Sequence, residues 1–318
     1  MELTIPLAHS KPQPSKELII FNHLYPRMNF SANEKLTYDN LKKGFIGEEK
    51  FYHILKKTLD PYQLVLFNLL LESNNTEFQI DNTIIIQNTI FLFEVKNFEG
   101  DYYFEGNKWY IVSSRKEIRN PLLQLQRTEF LFKQILQKLN VNFDVKSYII
   151  FINEEFTLYQ SPLGLPIIFP TQLNRFIKDL NSQPQKLTAH HTKLAKQLME
   201  IHIEESRHSR LPKYEYNQLK KGIVCRFCPG FMSYLSYKKL VCNKCGEEEE
   251  IASSVMRSVA EFNLLFPEIK ITTRAIHEWC VVVESKKTIR KILLKHLTFI
   301  QHGKYSYYAF TTTNSQHV

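Results

Sequence analysis

Four cysteines in the C-terminal third constrain the fold more tightly than any other feature of this sequence. Cys225 and Cys228 are separated by two residues, Cys242 and Cys245 repeat that spacing, and thirteen residues lie between the two pairs. The spacing lets both sulfurs of a pair turn toward one ion, and four thiolates suit a tetrahedral Zn²⁺. The quartet therefore predicts a closed, structural zinc ribbon over residues 218–250. Two unrelated thiol pairs are the alternative.

Composition and length exclude several classes of protein. The chain has 318 residues, 43% of them hydrophobic and 23% charged, which is typical of globular proteins and argues against disorder, collagen and coiled coil. The N-terminus has no export-signal pattern and no apolar run approaches the ~20 residues that cross a bilayer. We therefore expect a cytoplasmic protein with reduced cysteines and no membrane segment. The formal net charge of +9 favours a polyanionic partner, although many basic proteins bind none.

Hydrophobic periodicity in the first two thirds of the chain predicts a mixed α/β core. The predicted elements are a helix at 39–58, strands at 62–71, 80–86 and 90–95, a second hairpin within 102–112, a helix from Pro121 and a strand at 148–152. The long helix has a clear start, because Asn120 is a good N-cap and Pro121 suits the first helical position. The order α-β-β-β-α-β is typical of a mixed sheet covered by helices.

Three charged residues at the ends of the predicted hairpin strands are the main chemical signal. If Gln87 and Asn88 form a two-residue turn, Asp81 faces Glu94 with Cβ atoms ~5 Å apart, and Lys96 shares that face. Two close carboxylates need a compensating charge, and hard oxygen ligands favour Mg²⁺ or Mn²⁺. The lysine can orient a water and stabilise charge on a phosphate. The alternative is an edge strand with an ordinary surface Glu–Lys pair.

The surroundings of this hairpin carry a family resemblance. The runs that carry it are, in order, GFIGE at 44–48, QID at 79–81, FLFEVKNFEG at 91–100 and NPLLQ at 120–124. This ordered set resembles the nuclease-related domain (NERD), a branch of the PD-(D/E)xK restriction-endonuclease-like superfamily. The resemblance covers roughly residues 39–155 and extends more loosely to about 205. It implies a restriction-endonuclease-like mixed sheet core.

The resemblance also implies roles for individual residues. Asp81 and Glu94 are the implied Mg²⁺ or Mn²⁺ ligands and Lys96 is the implied catalytic lysine. Glu48 completes the acidic cluster from the first helix, and Gln124 faces the same cleft. Two departures, Asn82 in place of a frequent histidine and the absence of the usual glycine before Phe91, affect the turn and a flank rather than the acid–acid–lysine set.

The chain beyond the predicted core is basic. Ser285 predicts the cap of a helix with a face rich in cations, among them Lys286, Lys287, Arg290 and Lys291. Helix, turn, basic helix and strand are compatible with a helix-turn-helix that binds nucleic acid. A helical cap with a solvated basic face is the alternative. The predicted domains are a lead-in at 1–38, a nuclease-like domain at 39–205, the ribbon at 218–250 and a basic helical tail at 251–318.

Three functions compete on the sequence. The first is a metal-dependent nuclease that hydrolyses phosphodiester bonds in DNA, with the ribbon and the basic tail assisting binding and no small-molecule cofactor. The second is a non-catalytic nucleic-acid-binding module on a nuclease-like scaffold. The third is a zinc-ribbon module that binds another protein. The intact Asp81, Glu94 and Lys96 set favours the first over the second, and both predict salt-sensitive nucleic-acid binding where the third does not.

Overall fold

The computed structural model of the chain describes residues 11–60, 63–183 and 187–310, which divide into two compact units. Unit 1 comprises Met1–Pro14 and Asp39–Ser209, and unit 2 comprises Ser15–Tyr38 and Arg210–Val318. The predicted lead-in at 1–38 is therefore divided between the two units. No helix in the described part of the chain is long and apolar enough to cross a membrane.

Unit 1 contains two mixed sheets and four helices among its described residues. In chain order its elements are α2 (Ala32–Thr58, which begins in the segment of unit 2), β1 (Leu64–Ser73), β2 (Thr76–Ile86), β3 (Thr89–Lys96), β4 (Gly100–Glu105), β5 (Lys108–Ile111), β6 (Glu117–Ile118), α3 (Pro121–Lys138), β7 (Asp144–Phe151), β8 (Phe156–Tyr159), β9 (Ile167–Ile168), α4 (Pro170–Asn181) and α5 (Ala189–Glu200). The predicted α/β core and its order, α-β-β-β-α-β, are confirmed in α2, β1, β2, β3, α3 and β7.

The larger sheet has the strand order β1-β2-β3-β7-β9. Its first three strands are antiparallel, while β7 pairs in parallel with β3 and β9. Strands β2 and β3 form the predicted hairpin, with Ile86 opposite Thr89 across a Gln87–Asn88 turn. Gln87 has a positive φ of 49°, and its carbonyl lies 2.6 Å from Nε2 of His191 on α5. A contact with the buried His191 side chain thus helps to fix the turn that sets the hairpin register.

Helices cover both faces of this sheet because both faces are apolar. On one face, Phe51 and Leu55 of α2 and Ile177 of α4 pack against β-strand residues such as Ile84 and Phe93. On the other face, α3 and α5 pack against a second cluster of aliphatic side chains. The α3 helix begins as the sequence predicts: Asn120 Oδ1 accepts a hydrogen bond of 2.9 Å from the Leu122 amide, and Pro121 follows the cap.

The smaller sheet of unit 1 has the order β6-β5-β4-β8. The second predicted hairpin is confirmed in β4 and β5, where Glu105 pairs with Lys108. Strands β6 and β8 were not predicted. Strand β8 pairs in parallel with β4 from more than fifty residues away, and β6 pairs with β5. Such short strands carry little periodicity of their own, so the sequence pattern does not reveal them.

Unit 2 combines one helix from the start of the chain with the C-terminal elements. Its remaining elements are α1 (Lys16–Leu24), β10 (Met232–Tyr234), β11 (Lys239–Cys242), β12 (Glu248–Glu250), α6 (Ile251–Leu265), α7 (Thr273–Cys280), α8 (Lys286–His296), β13 (Thr298–Ile300), a 3-10 turn (Gly303–Tyr305) and β14 (Tyr307–Ala309). Strands β10, β11 and β12 form the three-stranded sheet of the ribbon, and β13 pairs with β14. The sequence did not predict α1.

One hydrophobic core serves the whole of unit 2. Leu24 of α1, Leu240 of the ribbon, and Val255 and Leu293 of the C-terminal helices all belong to one buried cluster. Cys225 and Cys242 are part of it as well. The ribbon and the helical tail, which the sequence presents as successive segments, therefore share a single core.

Candidate active site and zinc centre

The hairpin register places Asp81 and Glu94 side by side at the end of the β2–β3 ladder. The last hydrogen-bonded pair is Asn82 with Phe93, so Asp81 and Glu94 are the next residues on their strands. Asp81 is held there by its Oδ2, which accepts a hydrogen bond of 2.8 Å from the Val95 amide. The two-residue turn thus brings Asp81 and Glu94 to adjacent positions just beyond the paired residues, close enough for the two carboxyls to repel each other.

Glu94 is the centre of a buried polar network. It is only 4% exposed, and its Oε1 accepts hydrogen bonds from Lys96 Nζ at 2.6 Å and from Gln124 Nε2 at 2.5 Å. Lys96 Nζ also donates to Gln124 Oε1 at 3.1 Å. Gln124 reaches the network from the first turns of α3, directly after the Asn120 cap. The lysine and the amide therefore position each other as well as the carboxylate.

Glu48 is brought toward this network by a close approach between α2 and the end of β3. A Cβ on Gly47 would lie 2.8 Å from Asn97 Cβ, so only glycine lets the helix pass this close. The Asn97 side chain fixes the contact by donating a hydrogen bond of 2.8 Å to the Lys43 carbonyl. Since Glu48 follows Gly47 and Asn97 follows Lys96, this packing carries Glu48 to the acidic cluster.

Burial and mutual repulsion raise the pKa values of two of these carboxyls. Burial, followed by repulsion from Glu94 and Glu48, raises the pKa of Asp81 well above its usual value. Burial raises the pKa of Glu48 to about 7, with a further upward contribution from Glu94 and downward contributions from Asn68 and Lys96. Both groups resist ionisation chiefly because they are buried, and further because Lys96 alone does not balance three carboxylates. The site thus favours an additional positive charge.

The donor set at this site fits a hard divalent cation. Asp81, Glu94 and Glu48 offer only carboxylate oxygens, the donors that Mg²⁺ and Mn²⁺ prefer. In the described part of the chain, the only set of three or more His, Cys, Asp or Glu residues with ligand atoms all within 4.8 Å of one another is the cysteine quartet. The three carboxylates are therefore more widely spaced than the four sulfurs.

Asn68 is a polar residue of this site that sequence reasoning missed. It lies on β1 between the pairs Phe67–Asn82 and Leu69–Ile80, which places it opposite Asp81. Its φ of 50° is in the left-handed region, where asparagine is tolerated better than most residues. Its side chain donates a hydrogen bond of 3.4 Å to the Gln13 carbonyl, and its proximity to Glu48 lowers the pKa of that carboxyl. The sequence does carry a signal for this residue, because an asparagine interrupts the apolar run LVLFNLLLES.

The four cysteines converge as their spacing predicts. The Cys225 and Cys245 sulfurs lie 3.7 Å apart, and the Cys228 and Cys242 sulfurs lie 3.5 Å apart. Gly230 makes the approach possible, since a Cβ there would lie 2.8 Å from Cys242 Sγ. Four thiol donors that all lie within 4.8 Å of one another fit a structural zinc ion.

One thiol in this cluster is acidic enough to suit metal binding, while the pKa values of Cys225, Cys228 and Cys245 are raised. Burial alone would raise the pKa of Cys242, but hydrogen bonds from the backbone amides of Cys245 and Lys244 outweigh it and lower the pKa to about 6. The Lys244 amide lies 3.3 Å from Cys242 Sγ. A ligand that is readily deprotonated is thus present before any ion binds.

The basic residues predicted in the tail surround a cavity in unit 2. Ser285 caps α8 by accepting a hydrogen bond of 3.2 Å from the Thr288 amide. The cavity, with a volume of about 420 Å³, is lined by Thr273, Lys286, Lys287, Arg290, Phe299, Ser306 and Tyr308. Lys291 is exposed on the same helix but does not line it.

Comparison with known proteins identifies the segment that contains the acidic site. Residues 43–152 match the family model of the nuclease-related domain, and this segment contains the acidic site. The small subunit of a heterodimeric restriction endonuclease is a similar solved structure: it is 11% identical, with a TM-score of 0.24, and the match covers 58% of this chain and 86% of that one. No curated protein matches the sequence.

Proposed function

We propose that this protein, through the nuclease-related domain at residues 43–152, is a metal-dependent nuclease that hydrolyses phosphodiester bonds in DNA. One observation carries the proposal. Glu94 is almost fully buried, yet it is a charged group bonded to Lys96 and Gln124 and it stands next to Asp81. Burying a carboxylate lowers the stability of the core, so its presence in this position supports a functional role.

In this proposal Asp81 and Glu94 hold Mg²⁺ or Mn²⁺, and Glu48 completes the acidic set. The cation neutralises the carboxylates and supplies positive charge where the phosphate becomes more negative in the transition state. Lys96 orients the attacking water and stabilises that developing charge. Gln124 keeps the Lys96 ammonium group directed at the site through its hydrogen bond of 3.1 Å. Asn68 positions Glu48.

Comparison of two glutamates tests the nuclease proposal. The protein is incubated with duplex, single-stranded and branched DNA and with RNA, with and without Mg²⁺ or Mn²⁺. Glu94→Gln removes a charge at constant shape, and we expect it to lower metal-dependent cleavage by at least about 100-fold, the scale of losing a major electrostatic contribution. Glu99→Gln is the matched control, because the Glu99 side chain is 63% exposed and its ion pair among the described residues is with the exposed Lys43.

The possible outcomes separate the nuclease from a scaffold. Melting temperature and zinc content of each variant show whether the fold survives the substitution. If the parent cleaves none of these substrates with either metal, the nuclease proposal is wrong and a non-catalytic binding module takes its place. If Glu94→Gln and Glu99→Gln cleave equally well, the activity belongs to a different site.

We further propose that the basic face of α8 assists binding through the nucleic-acid backbone. Lys286, Lys287 and Arg290 converge on one open cavity, and Lys291 extends the same face. Phosphate contacts release counterions, so affinity should fall steeply with salt. Replacing these four residues by alanine should reduce the slope of log affinity against log salt concentration by roughly one for each phosphate that is no longer neutralised. Lys295→Ala, on an exposed position of α8 outside the cavity, should change it by no more than about one. Equal salt dependence in the quadruple variant and the parent would contradict this assignment.

A further inference from the structure

We propose that the zinc ribbon binds unpaired nucleotides by stacking bases on aromatic side chains, with Phe227 and Tyr237 as the principal platforms. This inference rests on the proposed function in one respect, that the partner is nucleic acid. It deepens that function by naming the class of substrate, which is DNA with a single-stranded segment. It requires no cleavage, so it can be tested separately.

The ribbon exposes aromatic side chains that its own core does not use. Phe227 is 64% exposed, Tyr234 is 59% exposed and Tyr237 is 77% exposed. The same ribbon buries Met232 and Leu240 almost completely, so it has a core from which these rings are left out. Exposing one large apolar side chain is ordinary, but three rings within eleven residues of a small zinc-held module indicate a contact surface.

Each of the two most exposed rings has a cation beside it. The Arg226 guanidinium lies 4.7 Å from the centroid of the Phe227 ring, and Lys238 Nζ lies 5.2 Å from that of Tyr237. Neither cation forms an ion pair with a described residue, whereas the neighbouring Lys239 is bound to Glu248 at 2.8 Å. The positive charge next to the rings is therefore available to a partner.

The chain holds both rings on rigid supports. Tyr237 is at the tip of the β10–β11 turn, where the Leu235 and Ser236 amides donate to the Lys239 carbonyl at 3.1 and 3.0 Å, and the Lys239 amide donates to the Ser236 carbonyl at 3.2 Å. Phe227 is inside the first cysteine pair, and its amide lies 3.4 Å from Cys225 Sγ. Rings that are already positioned lose little conformational entropy on binding.

This combination selects the chemistry of the partner. A flat apolar ring with an adjacent free cation matches a base joined to a phosphate, and stacking on aromatic side chains with backbone neutralisation is how single strands are held. A duplex hides the faces of its bases and offers only phosphates to such a surface. A protein partner would instead need acidic side chains to satisfy Arg226 and Lys238.

Binding measurements with a labelled single strand test the inference. The Glu94→Gln protein, which leaves the nucleic acid intact, is titrated against a fluorescent oligothymidine and a duplex of equal length. We expect tighter binding of the single strand. Phe227→Ala and Tyr237→Ala should each weaken it by about tenfold, the scale of losing one stacked base. The swaps Phe227→Tyr and Tyr237→Phe should keep affinity within about threefold, since each retains a ring.

Two controls make the outcomes decisive. Tyr159→Ala removes an exposed tyrosine of β8 in unit 1 that is 52% exposed, and it should leave single-strand affinity unchanged. Zinc content shows that each ribbon variant is folded. Alanine variants that bind like the parent, or ring swaps that lose as much as alanine, would overturn the inference, as would equal affinity for duplex and single strand. Absence of cleavage with intact single-strand binding would overturn only the nuclease proposal.

Discussion

At the scale of single residues, Glu48 shows how the candidate site opposes the stability of the fold. Its pKa of about 7 in the folded protein lies above the ordinary value of 4.5. Below pH 4.5 the carboxyl is protonated in both the folded and unfolded states. As the pH rises from 4.5 to 7, the unfolded chain ionises first, so the free energy of unfolding falls across this window. Above pH 7 the penalty is complete, and Asp81 adds to it in the same direction.

The Glu48→Gln variant should therefore be more stable than the parent at pH 8, by up to about 3 kcal/mol, and the two should converge at pH 4.5 and below. The measurement is urea unfolding without Mg²⁺ or Mn²⁺ but with zinc retained. Trp109 in unit 1 and Trp279 in unit 2 are the two tryptophans of the chain, so a Trp279→Phe background lets fluorescence report unit 1 alone. If the free energies of unfolding of parent and variant change in parallel across this pH range, the pKa of Glu48 is not raised in the folded protein.

Two glycines of α2 provide a matched pair of substitutions. A Cβ on Gly44 would meet no atom within 4 Å, while a Cβ on Gly47 would lie 2.8 Å from Asn97 Cβ, which cannot rotate away. Gly44→Ala should raise the free energy of unfolding by up to about 1 kcal/mol through helix propensity. Gly47→Ala should lower it by about 1–3 kcal/mol through overpacking, and should also reduce cleavage by displacing Glu48. A Gly47→Ala protein as stable and active as Gly44→Ala would refute the close approach.

At the scale of elements, the cysteine quartet supports more than the ribbon. Cys225 and Cys242 belong to the buried cluster that contains the residues of α6, α7 and α8. Loss of the metal should therefore loosen the helical tail together with β10, β11 and β12, because they share one core.

Cys228→Ser tests this coupling. The parent should contain about one zinc per chain, and the variant should lose it. Hydrogen exchange should then accelerate in α6–α8 as well as in the ribbon, while β2 and β3 of unit 1 keep their protection. Cys280→Ser, at a buried position outside the quartet, is the control that should retain zinc. Rapid exchange confined to 225–245 would show that the ribbon unfolds independently of the tail.

At the scale of the whole molecule, unit 2 is assembled from both sides of the nuclease-related domain in sequence. Arg27, just after α1, is 2% exposed and donates to both carboxylate oxygens of Glu261 at 2.8 and 2.7 Å. It also donates to the Lys220 and Gly222 carbonyls, and its guanidinium lies 4.0 Å from the Trp279 ring centroid. Burial alone would raise the pKa of Glu261, but hydrogen bonds from His23 and Arg27 keep it below its usual value.

Arg27→Ala should lower the free energy of unfolding of unit 2 by about 3–5 kcal/mol, because it removes from the buried Glu261 the guanidinium that binds both of its carboxylate oxygens. Trp279 fluorescence in a Trp109→Phe background reports this unit. Arg274→Ala, at an exposed position of α7, should change it by less than about 0.5 kcal/mol. Similar stabilities for the two variants would mean that the N-terminal segment is not integral to unit 2.

The sequence by itself determined the features whose parts are close together along the chain. The Gln87–Asn88 turn, the opposition of Asp81 and Glu94, the Asn120 and Ser285 caps, and the cysteine pairs each depend on spacings of a few to about twenty residues. Local backbone geometry fixes such spacings, because strand pairing across a short turn and the first turn of a helix leave few alternatives. These features could therefore be predicted by counting residues along the chain.

Only the tertiary structure decided the features that depend on distant segments. The family resemblance implied that Glu48 and Gln124 join the site, but only the structure shows how: Glu48 approaches through the contact of Gly47 with Asn97, and Gln124 bonds Glu94 from thirty residues away. That α1 belongs to the core of the ribbon is likewise seen only in the structure. No spacing encodes these contacts, since they follow from which apolar faces pack together once the helices and sheets exist. Asn68 shows the limit most clearly, because its place opposite Asp81 depends on a local break in the pairing of β1 with β2.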